Sequence, residues 1–388
     1  MTRLAIIATH PIQYYSPWFR HMADSGLDLK VFYLWDFGVA ERRDREFDRT
    51  LRWDVDLLSG YDSQLLENRS PRPGTAHFFG FDNPECLEAV LEFSPDAVLF
   101  MAYRYWGLLL LIRALHSRGI PLLFRGDSHR LVDRHSWRSK TARRFIAAIF
   151  RQFAGCLYVG RANREYFTYH GVTDDRLFFS PHAVDNDRFL GARDGASERA
   201  ARWRRELQIP DDAVLLLFAG KLTRKKRPTD LLAAFRGLDR RQCYLLFVGS
   251  GELEQELKRE SADHVRFLPF QNQTDMPAVY AMADLFVLPS FGRSETWGLA
   301  VNEAMCLGVP VVVSDHVGCH LDLVQGRGTG WVFPAGDRLR LAETLKQAID
   351  DGSLRQKSGT RASRLIRQYG YPQATQGLVE ACAAAVPT

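Results

Sequence analysis

The stretch SFGRSETWGLAVNEAMCLGVPVVVSD, residues 290–315, decides the fold class. It reads as loop, then helix, then strand. After Gly308-Val309-Pro310 comes VPVVVS (309–314), a β-branched run of the kind that forms a strand buried on both faces of a parallel sheet. The preceding helix, about Leu299 to Leu307, is too apolar to lie on open solvent. Two acids, Glu295 and Glu303, nonetheless sit in this glycine-punctuated segment with seven residues between them. An acid in such surroundings is either paired or used.

Outward from this stretch, short apolar runs alternate with longer amphipathic ones. The strand candidates are LAIIAT (4–9), LKVFYL (29–34), DAVLFMA (96–102), PLLFRG (121–126) and GCLYVG (155–160). After a polar bridge at 180–207 come VLLLFAG (214–220), YLLFVG (244–249), VRFLPF (265–270), DLFVLPS (284–290) and VPVVVSD (309–315). Such βαβ alternation predicts parallel sheets covered on both faces. Two sets of five predict an α/β chain of two doubly wound, Rossmann-like domains facing a central cleft. The expected boundaries are 1–183, joined by a C-terminal helix at about 366–388 packing back, and 184–365. Ligands of open parallel sheets sit at the carboxyl ends of the strands, so the site is sought in polar residues just after strands.

Composition narrows the function class. The chain has 388 residues, 46% apolar, with a net charge of +5. Eight of its 51 basic residues are Lys and 43 are Arg, nearly balanced by 46 acids, which argues against a nucleic-acid surface. Six scattered cysteines without a C-x-x-C pair support neither a metal site nor a disulfide framework. The opening MTRLAIIATHP is too short in its apolar run for a signal peptide. The longest apolar run, WGLLLLI (106–112), is stopped by Arg113. The expectation is a cytoplasmic enzyme with peripheral contact at the inner face of the membrane. There is no repeat of solenoid period.

Several constellations follow strands. In FAGKLTRKKRP (218–228), Lys221, Arg224, Lys225, Lys226 and Arg227 crowd between a strand end and a helix starting near Pro228. Five cations there suit a diphosphate, because ammonium groups and a helix amino end both stabilise negative charge; a solvated basic loop is the plain alternative. Beside Glu295 and Glu303, the first-turn amides at Trp297, Gly298 and Leu299, with Thr296 before them, are helix-end donors. A carboxylate accepts two hydroxyl hydrogen bonds, which suits sugar diols. VGSGE (248–252) places Gly249 in a tight strand–helix turn lining a nucleotide site, and Phe270 ends VRFLPF in the same set. In the first half, Arg125, Asp127 and His129 follow PLLFRG. Ser16-Pro17 reads as a helix start, leaving His10, Gln13 and Tyr14 in the loop before it. Tyr103, Tyr105 and Trp106 follow another strand and offer faces for a sugar, or ordinary packing. Asp54-Val55-Asp56 and Asp185-Asn186-Asp187 look like metal-binding pairs but lack a strand-end context; no metal and no cofactor are expected.

Together these motifs resemble the family 4 retaining glycosyltransferases of the GT-B fold. The resemblance covers about residues 155–340: the Glu295-to-Glu303 element followed by AMCLGVPVVVSD, the basic pair at Lys221 and Lys226, VGSGE, ADLFVLPS (283–290) and TGWVFPAGD (329–337). HAVDNDRF (182–189) looks like the family's linking stretch, which accounts for the second Asp pair without metal. The resemblance implies that Glu295 holds hydroxyls of a donor sugar and Glu303 the ribose of a nucleotide. It implies that Lys221, Lys226 and the helix amino end hold the diphosphate. Asp127, His129, Glu295 and Lys226 are the implied catalytic set; His10, Gln13, Tyr14, Tyr103 and Trp106 are the candidates for binding the acceptor. The chain departs from the family pattern in four places. HPIQYY replaces a Gly-Gly loop, Asp127 stands in the slot of a catalytic histidine, Lys221 stands for an arginine, and Asp322 stands for a glutamate.

The expected reaction is metal-independent, retaining transfer from a UDP- or GDP-sugar to a glycan, glycolipid or other hydroxyl acceptor, as in making cell-surface polysaccharide or glycoconjugate. The alternatives are a GT-B sugar-nucleotide 2-epimerase and a non-catalytic nucleotide-sugar-binding protein. The expected partners are a nucleotide sugar and a glycan or lipid-linked acceptor, with no nucleic acid. Residues 134–153 add an expectation of contact with anionic membrane. They hold six Lys or Arg and no acid. A helical wheel puts Phe145, Ile146, Ile149, Phe150 and Phe153 on one face and Lys140, Arg144 and Arg151 roughly opposite.

Overall fold

A computed structural model of the chain describes residues 2–39, 42–44, 49–51, 53–132, 137–238 and 243–386. The chain divides into two compact units. The first comprises Met1–Arg42, Val55–His182 and Tyr371–Thr388; the second comprises Arg43–Asp54 and Ala183–Gly370.

The first stretch of chain runs β1 (Arg3–Ala8), α1 (Ser16–Asp24), β2 (Asp28–Tyr33), β3 (Arg42–Asp44), β4 (Arg49–Leu51), β5 (Asp62–Leu65), α2 (Cys86–Phe93), β6 (Ala97–Phe100), α3 (Trp106–His116), β7 (Leu122–Gly126), α4 (Trp137–Phe150), β8 (Gly155–Tyr158), α5 (Arg161–Tyr169) and β9 (Leu177–Phe179). Seven of these strands form one parallel sheet in the order β5-β2-β1-β6-β7-β8-β9, while β3 and β4 pair with each other. The second unit continues with α6 (Asn186–Gly191), α7 (Arg193–Glu206), β10 (Val214–Ala219), α8 (Pro228–Arg236), β11 (Cys243–Val248), α9 (Glu254–Glu260), β12 (Val265–Leu268), α10 (Met276–Ala281), β13 (Leu285–Leu288), α11 (Leu299–Cys306), β14 (Val311–Ser314), β15 (Gly330–Phe333), α12 (Arg338–Asp350) and α13 (Gly352–Leu365). Its six strands are parallel in the order β12-β11-β10-β13-β14-β15. Parallel strands need crossovers, and helices supply them. Burial of β13 and β14 on both faces explains why their sequences are continuous apolar runs. Each such Val or Leu contributes roughly 1.5–3 kcal/mol.

The last helix, α14 (Tyr371–Ala385), returns to the first unit. Trp18 Nε1 donates to Thr375 Oγ1 at 3.1 Å, and Ser180 Oγ to the Ala374 carbonyl at 2.9 Å. Gly377 permits the contact with β9, since a Cβ there would fall 1.8 Å from the Phe179 carbonyl oxygen.

The ten strands predicted from sequence are all present; β3 and β4 form a separate pair that was not predicted, and β5, β9 and β15 join the two large sheets. All three are edge strands. An edge strand is short and covered on fewer sides, so DSQL, LFF and GWVF lack the long apolar run that marks a central strand. In each sheet the chain turns back at one place, between β1 and β6 and between β10 and β13. These are the topological switch points where ligands of such sheets bind.

Candidate functional site

In the second unit, the turns after β10 and β11 touch through their backbones. Leu222 N donates to Ser250 O at 2.9 Å, and Arg224 N to Glu252 Oε1 at 3.0 Å. Gly249 has φ +134°, and a Cβ there would lie 2.1 Å from the Gly220 carbonyl oxygen. The glycine is therefore required by the contact between turns, before any ligand is considered.

The five cations of the 221–227 turn sort into different roles. Lys226 Nζ lies 2.5 Å from Glu295 Oε2, and Ser290 Oγ donates to the same oxygen at 2.8 Å. Arg227, in a left-handed conformation at φ 54°, pairs with Asp230 at 2.6 Å, and Arg338 reaches the other oxygen of that buried carboxylate at 2.6 Å. Arg227 is thus tied down as a support. Arg224 is exposed, and Lys221 and Lys225 are half-buried. Lys226, Ser290 and Glu295 bring the ends of β10 and β13 together at the switch point, beside the amino end of α11. That helix end carries partial positive charge.

Glu303, on the second turn of α11, has different surroundings. It is 2% exposed, and Tyr280 OH donates to its Oε2 at 2.7 Å. Nothing in the local sequence marks Tyr280 or Ser290 as partners. The only available signal was chemical: a buried tyrosine hydroxyl needs an acceptor. Trp297 is also buried, its Nε1 donating to Asn302 Oδ1 at 2.8 Å, so its indole belongs to the core and only its backbone remains a ligand candidate. Gly298, at φ 99°, precedes α11. Thr296 and Leu299 are half-buried on either side. The segment is laced to 317–319: Gly318 N donates to Glu295 O at 3.0 Å, and Cys319 N to Trp297 O at 2.9 Å. Phe270 follows β12, the outer strand, and lies against Trp53 with ring centres 6.2 Å apart.

In the first unit, Arg125 closes β7 and is 2% exposed. It donates to the Ser180 and Pro181 carbonyls at 3.3 and 2.9 Å and lies over Trp18 at 4.5 Å. Asp127 is partly exposed, 3.6 Å from Nε2 of the buried His182. His129 Nδ1 accepts from Leu131 N at 3.3 Å. The histidine that meets Asp127 is therefore His182, which sequence reading placed only in a linking stretch.

The remaining candidates are more scattered. His10 contacts Trp35 and Phe37 edge-on at 5.7 and 5.4 Å, and burial pulls its pKa down to about 4. Gln13 and Tyr14 are half-buried ahead of α1. That helix begins with Tyr15 in the capping position and no side-chain cap bond, so Ser16 is not the cap its pairing with Pro17 suggested; Ser16 is wholly buried instead. Tyr103 is engaged in packing, edge-on to Phe124 and Phe150 at 5.2 and 5.4 Å, with its hydroxyl 3.0 Å from that of Tyr166. The residue is half-buried. Tyr105 is buried against Phe81 at 4.6 Å. Trp106 is 48% exposed beside Phe78 and Phe79.

Of the two aspartate pairs, three of the four residues accept backbone hydrogen bonds, Asp185 as the cap of α6. Asp185 accepts from Arg188 N at 3.0 Å, Asp56 from Leu58 N and Ser59 N, and Asp54 from Thr274 N. Among the described residues, no three or more His, Cys, Asp or Glu side chains gather where they could hold a metal. All six cysteines are buried and unbridged.

On α4 the wheel misplaces one residue. Ile149, Phe150 and Phe153 are buried, but Phe145 is 59% exposed. At about 100° per residue it lies a quarter-turn from Ile146 and leaves the apolar stripe. Lys140, Arg144 and Arg151 are exposed as expected, and Arg143 N–H reaches the Tyr169 carbonyl at 2.9 Å. Residues 134–136, also part of the basic stretch, lie outside the described residues.

Two Rossmann-like parallel units in one chain, with a cation–carboxylate pair at the switch point of the second, define the GT-B class of α/β protein. Residues 200–365 match the family described as glycosyl transferases group 1, and residues 59–182 match 3-deoxy-D-manno-octulosonic-acid transferase (kdotransferase). Those matches and the fold together support a GT-B glycosyltransferase family for the chain. It is 31% identical over 219 residues to a D-inositol 3-phosphate glycosyltransferase of Salinispora arenicola, covering 52% of this chain and 48% of that one. It is 34% identical over 144 residues to the uncharacterized glycosyltransferase MJ1607 of Methanocaldococcus jannaschii, covering 35% and 36%. The chain thus matches about half the length, or less, of these curated relatives. Among solved structures, Anabaena Alr3699/HepE in complex with UDP and glucose superposes with a TM-score of 0.74 at 17% identity, over 99% of this chain and 100% of that one. Sucrose-phosphate synthase of Thermosynechococcus elongatus gives 0.72 at 17% identity, over 98% of both. At such identity these two speak for the fold alone.

Proposed function

We propose that the chain is a retaining, metal-independent glycosyltransferase that moves a sugar from a nucleotide diphosphate to a hydroxyl of a glycan or lipid-linked acceptor. The observation that carries the reading is the Lys226–Glu295–Ser290 contact at the switch point of the second unit, beside the amino end of α11. In this reading the second unit takes the donor and the first the acceptor.

The chemistry follows from charge. Cleaving the bond between the anomeric carbon and the phosphate oxygen leaves both electrons on the phosphate. Lys226, Lys221 and the amino end of α11 oppose that growing charge, as preorganised donors do in acyl and phosphoryl transfer. The acceptor oxygen bonds to the anomeric carbon on the same face, and its proton passes to the departing phosphate. No enzymatic nucleophile is consumed. Glu295 holds donor-sugar hydroxyls, and its ion pair with Lys226 loosens as the diphosphate arrives. Glu303 holds the ribose, with Tyr280 fixing one of its oxygens.

The UDP and glucose held by Anabaena HepE make UDP-glucose a sensible first donor to try. The exposed basic face of α4 supports an acceptor carried on an anionic membrane, reached from the cytoplasmic side. Incubation with labelled UDP- and GDP-sugars tests the reading. Transfer, or slow hydrolysis that persists in chelator, is expected. Epimer formation points to a 2-epimerase, binding without turnover to a non-catalytic protein, and turnover restored only by Mn²⁺ or Mg²⁺ to a metal site.

A further inference from the structure

The first unit carries an apolar surface that the donor chemistry leaves unused. Phe78, Phe79, Trp106 and Leu110 are all exposed, Phe79 by 64%. The rings of Phe78 and Phe79 are 5.0 Å apart centre to centre, and each is 6.3 Å from that of Trp106. Backbone contacts hold them there: Trp106 N donates to the Phe78 carbonyl at 3.0 Å, and Ser70 Oγ to the Phe79 carbonyl at 2.7 Å. Single exposed apolar residues are ordinary, whereas a contiguous cluster marks a place where something binds. Beside the cluster, between α2 and α3, lies a pocket of about 200 Å³. Leu34, Phe81, Leu87, Leu108 and Leu111 supply its apolar walls, and Leu110 belongs to both pocket and cluster.

We propose that this pocket and its aromatic rim bind a lipid of an anionic membrane, with the hydrocarbon chain between α2 and α3 and the rings at headgroup level. The proposal rests on the glycosyltransferase reading and narrows its acceptor to a lipid-linked one.

Two observations select a lipid. The first is the want of polar partners in the pocket. A sugar or a peptide brings groups that must be hydrogen-bonded, and a hydrocarbon chain needs only apolar area. Asn83 lines the pocket, but its Nδ2 already donates to the Leu34 and Glu67 carbonyls at 3.1 and 2.8 Å. Asp82 is the one charged residue of the lining among the described residues, and it is exposed. The second observation is charge. Arg72, Arg104 and Arg113 are exposed around the rim, and none of them pairs with an acid among the described residues. Arg113 stands one turn beyond Leu110 on α3, and Arg104 donates to the Thr75 carbonyl at 3.2 Å. Segments 69–81 and 102–118 hold no acid at all. Exposed rings among unpaired guanidinium groups match a bilayer interface, where aromatics lie at the headgroups and cations meet phosphate. The helices α2, α3 and α4 bury their apolar sides in one core cluster, so they cover the same face of the sheet. The exposed Lys140, Arg144 and Phe145 of α4 add to the charge and apolar surface of that face. Glu88 and Glu92 of α2 line a different groove, which stays in water.

Two measurements on the full chain test this, and neither needs a donor. All six native cysteines are buried, so an environment-sensitive dye can be directed to the exposed thiol introduced by His77→Cys. Its emission is expected to shift to the blue with phosphatidylglycerol vesicles, and the shift is expected to vanish when Phe79→Ser and Trp106→Ser are added. Emission unchanged by the vesicles overturns the proposal, even if the chain sediments with them through α4. The second measurement is calorimetry with dodecyl phosphate below its micelle concentration, with inorganic phosphate as the control. Only the dodecyl ester is expected to bind. Phe79→Ser and Leu110→Ser should each weaken it about tenfold or more, the scale of withdrawing one apolar side chain from a buried contact. Ala114→Phe fills the pocket from α3 and leaves the rim and its arginines in place; it is expected to abolish binding with the thermal midpoint unchanged. Leu87→Trp fills the pocket from α2 and serves if that variant loses its fold. Equal binding of the two phosphates, or dodecyl phosphate binding undiminished in the filled variants, overturns the proposal. Binding of maltohexaose instead, lost in Trp106→Ser, would also overturn it and give the rings to a glycan. A chain that binds dodecyl phosphate here but transfers no sugar keeps the lipid site and loses the glycosyltransferase reading; turnover without lipid binding does the reverse.

Discussion

Glu295 and Glu303 share one segment, with seven residues between them, yet meet different neighbours, and substitutions should separate them. Glu295 touches Lys226 and Ser290 at the switch point. Its replacement by Ala is expected to lower turnover of the sugar donor while leaving free nucleotide binding nearly intact. Glu303 is buried on Tyr280. Glu303→Ala strands that hydroxyl, at roughly 1–3 kcal/mol of stability, so Glu303→Gln is the cleaner variant: it still accepts from Tyr280 but has lost the charge. It is expected to weaken free nucleotide and nucleotide sugar together by calorimetry. Equal loss of free nucleotide binding in Glu295→Ala and Glu303→Gln would show that the roles are not divided. Lys226→Ala is expected to cost about tenfold to a thousandfold in rate, the scale of losing one donor to developing charge; undiminished activity would remove the diphosphate assignment. The Lys226–Glu295 neighbourhood was legible because both residues follow predicted strands, and strand ends converge at a switch point. Tyr280 and His182 were not legible. Each meets its partner across long sequence separation, and neither carries a local pattern that separates a working polar group from a satisfied core one.

Gly249 shows how an element boundary constrains the site. Its φ is in the left-handed half of backbone space, and a side chain would collide with the Gly220 carbonyl. Gly249→Ala must therefore part the turns after β10 and β11 and shift the cationic turn above them. The expected cost is roughly 2 kcal/mol, within the range of strained-glycine substitutions, together with weaker donor binding. A urea midpoint equal to that of the unsubstituted chain would mean the turns yield without cost. Gly-Ser-Gly-Glu was readable as a strand–helix turn, but its reason was not. Sequence placed Gly249 in a turn lining a nucleotide site, whereas the neighbour that requires a glycine there is the chain itself. The same division holds for strands: β10, β13 and β14 are buried on both faces and announce themselves as apolar runs, while β5 has two exposed and two half-buried residues and does not.

For the molecule as a whole, the two-fold βαβ alternation was enough to predict two Rossmann-like sheets, because a parallel sheet leaves both a strand signal and a crossover signal. The acceptor side was far less legible, since aromatic residues after strands serve packing and sugar recognition equally well; Tyr103 makes edge-on packing contacts and is half-buried. Where the chain works depends on its surface. No helix among the described residues is long and apolar enough to cross a membrane. The chain carries a net charge of +5, and α4 with the residue that follows it concentrates part of it: Lys140, Arg144 and Arg151 are exposed with no acid on the helix, and Phe145 is exposed instead of in the core. Each basic residue near an anionic surface contributes about 1 kcal/mol, within a screening length of about 10 Å at 0.1 M salt. An exposed aromatic adds an anchor at the headgroup level. The chain is expected to co-sediment with anionic liposomes at low salt and to be released at high salt. Reversing Lys140, Arg144 and Arg151 to Glu should abolish that binding, and Phe145→Ser should weaken it without changing its salt dependence. Failure to sediment with anionic vesicles even at low salt would make a soluble acceptor the better reading, and the basic face of α4 would then be a solvated surface.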